Sequence, residues 1–216
     1  MVGEETGPTF VVGSADQRRQ VLSIRGLDRL YADIECPLLG AHQAENAAVA
    51  VGLIDLLSRQ GVAIAPDAVR RGIESVRWPG RFQIVSRSPH VILDGAHDDV
   101  GAAALAAALE SLFPSRRVFL VLGVHRDKDV GAIASHLCPR ADRVLATASS
   151  SPRSLDAREL QRLVYRHCRH TAAYTPVSLA IQEALDQARR EDVVVITGSL
   201  YVVGEAMKAL GVAADG

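Results

Sequence analysis

The chain opens with short apolar runs interleaved with polar residues. TFVVG, QVLSI and RLYADIEC, all within residues 8–36, are interrupted at Gly13, Asp16 and residues 26–28. Runs of this length separated by turn residues predict a small antiparallel meander. The period then changes. Residues 41–60 place Ala44, Ala47, Ala48, Val51, Leu53, Ile54 and Leu57 at helical spacing, with Gly61 as the stop. Residues 66–76 begin with Pro66 and Asp67, a suitable first turn, and carry Val69, Ile73 and Val76. Both stretches predict helices.

Beyond residues 78–81 (WPGR) the rhythm changes again. Apolar runs rich in Val, Ile and Leu occupy 90–93, 117–123, 142–147 and 192–197, with a weaker one at 172–174. Helical patterns lie between and after them at about 99–113, 129–138, 155–168, 177–190 and 199–210. Nearly continuous apolar strands joined by helices predict a parallel sheet covered on both faces. The expected fold class is α/β. A Rossmann-like, mostly parallel sheet with helices on both faces follows a β-meander and two helices.

Composition adds exclusions. The 216 residues are 48% hydrophobic and 23% charged, ordinary for a globular protein with a sizeable core, and the net charge of −1 gives no basic footprint for nucleic acid. No apolar run is long enough for a bilayer and no signal-peptide pattern opens the chain, so no membrane role and a cytoplasmic location are expected. Cys36, Cys138 and Cys168 form no CxxC and fit a reducing compartment. The run His167, Cys168, Arg169, His170 lacks a second ligand pair at zinc-like spacing, so no metal site is assigned.

In open parallel sheets ligands sit beyond the carboxyl ends of the strands. Here those ends read 94–97 (DGAH), 123–129 (GVHRDKD), 147–153 (TASSSPR) and 197–199 (TGS). All are polar or carry glycine, and they are expected to converge on one edge, with Asp94 and His97 where a ligand is held. Each also has a plain structural alternative as a cap or tight turn. No GxGxxG follows the first strand and no GxxxxGK(S/T) occurs, so neither a dinucleotide fingerprint nor a P-loop is present.

Five blocks in order, 39–48 (LGAHQAENAA), 78–81 (WPGR), 93–97 (LDGAH), 127–129 (DKD) and 197–204 (TGSLYVVG), make the chain resemble the folylpolyglutamate synthase/dihydrofolate synthase family, a branch of the Mur ligases. The match spans about residues 36–210. The resemblance implies that residues 1–77 are the tail of an ATPase-like domain, 78–81 a hinge and 82–216 the Rossmann-like C-terminal ligase domain. It implies an ATP- and Mg²⁺-dependent ligase that activates a folate or pteroate carboxyl as an acyl phosphate, which the amino group of glutamate then attacks. By the same resemblance Asn46 lies against the adenine and Arg81 reaches the phosphates. Asp94 holds the nucleotide, His97 lies near the reacting phosphate and the amino acid, and Ser199 lies near glutamate. Catalytic roles thus fall to Asp94 and His97.

The sequence departs from the family twice. Asp98 stands where the family carries asparagine, placing extra negative charge beside a triphosphate. The family's front half, with its P-loop, magnesium-binding residues and pterin loop, is missing. Met1 makes the chain read like a complete product, and a truncated reading frame would read the same. Alone, the chain is expected not to ligate, and to need a P-loop-bearing partner or upstream domain. The alternative is a non-catalytic relative that binds a nucleotide or small acid. Apolar positions in residues 1–60 are expected to drive self-association.

Overall fold

Three antiparallel strands, β1 (Thr9–Ala15), β2 (Gln20–Arg25) and β3 (Leu30–Cys36), pair in the order β1-β2-β3, the meander expected from their spacing. The structure is a computed structural model that describes residues 7–213; residues 1–6 and 214–216 lie outside the described residues. The chain divides into two compact units, Met1–Arg77 and Trp78–Gly216.

In the first unit the inward positions of β2, Leu22 and Ile24, are two apart, but their partners on β3, Ile34 and Tyr31, are three apart. A bulge absorbs the extra residue at Asp33, whose φ of 52° is tolerated because aspartate enters the left-handed region more easily than most residues. These side chains pack with Cys36 against Ala44, Ala48 and Val51 of α1 (Ala41–Arg59) and Val69 of α2 (Pro66–Ser75). Gly61, with φ of 93°, ends α1, and the Val62 amide donates back to the Leu57 carbonyl. Asp55 is 3% exposed, and its carboxylate accepts the Leu27 amide at 2.7 Å, which fixes the β2–β3 turn.

The second unit holds a six-stranded sheet in the order β4-β5-β9-β6-β7-β8. The strands are β4 (Gln83–Arg87), β5 (His90–Leu93), β6 (Val118–Leu122), β7 (Arg143–Ala146), β8 (Thr171–Ala173) and β9 (Val193–Thr197). β4 runs antiparallel to β5, and every other pairing is parallel. Its helices are α3 (Asp99–Leu112), α4 (Val130–Leu137), α5 (Ala157–Val164), α6 (Val177–Gln187) and α7 (Leu200–Ala209). One sheet face, with Val91, Leu93, Phe119, Val121, Leu145, Val194 and Ile196, packs on α6 and α7. The alternate positions Ile92, Leu120, Leu122, Val144 and Val195 point the other way and are equally buried. This double coverage explains why β6 and β9 read as unbroken apolar runs.

Two elements differ from the sequence expectation. The edge strand β4 was not expected. Its residues are only half buried, and a register shift between Ile84 and Ser86 breaks the alternation that would betray it. Helix α5 stops at Val164 rather than running to 168, because the Val164 carbonyl takes both the His167 and the Cys168 amides. All three cysteines are free and buried. Burial first, and Cys168 nearby, push the Cys138 thiol up to about 12, which makes it inert.

Candidate functional site

The sheet order decides where the chemistry sits. β5, β9, β6 and β7 are consecutive parallel neighbours, so their carboxyl ends share one rim. Backbone bonds continue the ladder past the strands: Asp94 N to Ile196 O at 3.1 Å, Gly123 N to Thr197 O at 3.1 Å, and Thr147 N to Leu122 O at 2.8 Å. The expected convergence of the four polar strand ends is what the structure shows.

Glycine lets these turns approach so closely. Gly198 has φ of 100°, and a Cβ there would stand 2.5 Å from the Gly123 carbonyl oxygen. A Cβ on Gly95 would meet Leu200 at 2.6 Å, and the Gly95 amide donates to the Gly80 carbonyl at 2.8 Å. The 78–81 turn is thus tied to the tip of β5.

Asp94 does much of that tying. It is 6% exposed; one carboxylate oxygen accepts the Phe82 amide at 2.8 Å and the other the Ala96 amide at 2.8 Å. Phe82 itself is held at φ of 43°. Arg81 is half-buried, and its guanidinium makes no hydrogen bond or ion pair with the described residues, which suits it to an anion such as a phosphate. His97 faces outward. Its Nδ1 lies 2.9 Å from the Gly95 carbonyl, which can only accept, so Nδ1 carries the hydrogen and Nε2 is left as the exposed acceptor. That Nε2 is 3.9 Å from the Asp98 carboxylate.

Asp98 is the N-cap of α3, accepting the Gly101 amide at 2.9 Å. Asparagine caps about as well, so the departure at Asp98 conserves the local fold while changing its charge. Asp129 caps α4, and Ser199, 3% exposed, caps α7 by accepting the Val202 amide at 3.2 Å. The capping alternative is therefore realised at Asp129 and Ser199, and the Ser199 hydroxyl keeps its own hydrogen to donate. Asn46 belongs to the other unit. It is exposed on α1, and its amide nitrogen donates to the Gln43 side chain at 3.2 Å.

The structure adds residues that the sequence did not single out. His125, at the tip of β6, is 8% exposed, and its Nε2 has no hydrogen-bond partner among the described residues. Its ring centroid is 5.3 Å from that of Tyr201. Burial, then Arg153, lower its pKa, with Lys128 and His97 acting the same way and Asp127 opposing. Arg153 pairs with Asp127 at 2.8 Å. Burial works against the Asp127 carboxylate, but its own backbone N–H and Arg153 outweigh that and hold its pKa low. In the sequence His125 was one polar letter in a strand end; nothing local marks a side chain that becomes buried through a contact 76 residues away with Tyr201. Among the described residues no group of three or more His, Cys, Asp or Glu could hold a metal ion. No helix among them is long and apolar enough to cross a membrane.

A doubly wound α/β domain whose glycine-tightened strand-end turns share one rim has the form of a ligand-binding domain. Residues 80–200 match the family described as Mur ligase, glutamate ligase domain, and the chain belongs to that family. It is 38% identical over 195 residues to a protein of Halobacterium salinarum named "Probable bifunctional folylpolyglutamate synthase/dihydropteroate synthase", covering 90% of this chain and 23% of that one. It is 35% identical over 209 residues to the dihydrofolate synthase/folylpolyglutamate synthase of Mycobacterium tuberculosis, covering 89% of this chain and 43% of that one. The structure of Mycobacterium tuberculosis folylpolyglutamate synthase complexed with ADP superposes with a TM-score of 0.84 at 33% identity, over 97% of this chain and 48% of that one. The chain thus spans less than half the length of these relatives.

Proposed function

We propose that this chain is the C-terminal part of an ATP-dependent ligase that joins glutamate to a folate or pteroate carboxyl, and that it works only together with a P-loop-bearing half. The reading is carried by the shared rim of β5, β9, β6 and β7, which sets Arg81, Asp94, His97 and Ser199 on one side of the sheet. The family match and the two folate-ligase relatives support it.

ATP, with Mg²⁺ held by the other half, supplies activation of the carboxyl as an acyl phosphate. This chain's residues bind and orient. Arg81 offers an unpaired guanidinium to phosphate oxygens. Asp94 acts first as a positioning residue that fixes the 78–81 turn, and by the family resemblance its carboxylate also holds the nucleotide at the ribose. The exposed Nε2 of His97 is placed to accept a proton from the attacking amine. Ser199 and the first amides of α7 favour the substrate carboxylate.

The experiment is reconstitution. The chain is mixed or co-expressed with a P-loop-bearing half of a relative and assayed for ADP release that depends on both glutamate and the pteroate or folate substrate. Turnover is expected in the mixture and none with the chain alone. Turnover by the chain alone, or a reconstituted mixture that His97→Ala leaves fully active, contradicts the reading. The alternative, a non-catalytic degenerate or split relative that binds a nucleotide or small acid, expects ligand binding without turnover in the same mixture.

A further inference from the structure

His125 is a buried rim side chain whose chemistry the proposed function does not use. Its backbone is pinned by an isolated bridge to Ser154 and by the Lys128 amide, which donates to the His125 carbonyl at 3.1 Å. The ring lies against Tyr201 in the first turn of α7, the same turn whose amides Ser199 caps. The residue is 8% exposed and Nε2 is buried, yet that atom meets no hydrogen-bond partner among the described residues. Native folds seldom leave a buried polar atom unpaired, and one that stands beside a ligand-binding rim calls for a functional explanation.

The charges that face the ring indicate the ligand's sign. Arg153 and Lys128 act on it as cations, and the carboxylate that acts on it, Asp127, is already paired with Arg153; Glu205, on the far side of Tyr201, bonds to Ser150. The positive end of α7 adds to them. A ligand cation would be repelled there, while an anion would be welcomed. A neutral imidazole can still serve an anion, because one ring nitrogen carries a hydrogen to donate.

We propose that His125 is a further substrate-contacting residue, whose Nε2–H donates to a carboxylate of the incoming amino acid. The proposal rests on the reading of this rim as the amino-acid site. On this proposal Tyr201, 56% exposed, turns aside to admit the ligand; it lines a groove of about 310 Å³ along α7 together with Ser150, Leu200, Gly204, Glu205 and Lys208.

Imidazole and backbone-amide NMR on the full chain reconstituted with the P-loop-bearing half, titrated with L-glutamate, tests this. Glutamate is expected to shift the His125 nitrogen signals and to raise the pH at which His125 titrates, since a bound carboxylate favours the cation. His125→Phe should weaken glutamate binding about tenfold or more, the worth of one hydrogen bond to a charged group. His125→Gln, whose amide nitrogen falls near the Nε2 position, should restore most of it. If glutamate moves the His97 and Ser199 signals but leaves His125 untouched, and His125→Phe binds as the parent does, His125 is structural and only this proposal falls. If no rim signal responds to glutamate, the amino-acid site itself is misplaced and both readings fall. Should His125→Phe not fold, the parent titration and His125→Gln still decide.

Discussion

Asp94 shows how far one side chain's neighbours redirect its role. Standing at a strand end it looks like a ligand contact, and in the structure both its oxygens hold backbone amides. Asp94→Asn turns an N–H donor toward one of those amides, so it should cost about 1–3 kcal/mol, read as a lower urea midpoint. Asp98→Asn is expected to leave stability within a few tenths of a kcal/mol, because both residues cap well. In a reconstituted ligase it should tighten ATP binding by removing a like charge. An unchanged dissociation constant would show that Asp98 stands too far from the nucleotide to matter. His125 gives a pH signature. Burial holds its folded pKa below the ordinary 6.5, as burial also does for His90. Below that value the unfolded chain takes up protons that the folded one refuses. Stability is therefore full above the ordinary histidine pKa and is lost as pH falls through it toward the folded value. The urea midpoint should drop between about pH 7 and about pH 5, and by less in His125→Phe.

At the scale of elements, the turns decide the site. Gly198 must adopt a positive φ while its missing Cβ leaves room for the Gly123 carbonyl. Gly198→Ala combines backbone strain with a clash against main chain, and should destabilise by more than about 1 kcal/mol. Circular dichroism melts would detect it, and an unchanged melt would mean the β9 turn can shift freely. The parallel strands were legible because burial on both faces forces Val, Ile and Leu at every position. The edge strand β4 was not, since a half-buried edge with a bulge keeps neither alternation nor a continuous apolar run. The caps at Asp129 and Ser199 were readable as residue types at helix starts. The close approach of the 78–81 turn to the β5 tip was not, because it depends on Gly95 and Gly80 meeting across the fold.

At the scale of the molecule, α1 is apolar on both sides. Ala44, Ala48 and Val51 are buried in the first unit, while Val49, Leu53, Leu56 and Leu57 are 45–57% exposed. The last four recur at one helical stripe, a surface of the kind that seldom stays bare. The chain spans 48% of the folylpolyglutamate synthase it superposes on, and the P-loop-bearing half proposed above is the partner that this stripe would receive. Without it, light scattering should show self-association that grows with concentration and that Leu53→Glu with Leu57→Glu suppresses. A monomer at high concentration contradicts this.

The sequence alone determined the alternation of buried strands and helices, the polar character of each strand end, and the order of the blocks that mark the family. Those features are local: periodicity, turn chemistry and residue type are set within a few positions. The tertiary structure decided that β9 enters between β5 and β6, that Asp94 is committed to backbone amides, and that His125 ends up buried beneath Tyr201. Each depends on groups far apart in the chain, whose meeting is fixed by packing and by the need to pair polar atoms taken out of water.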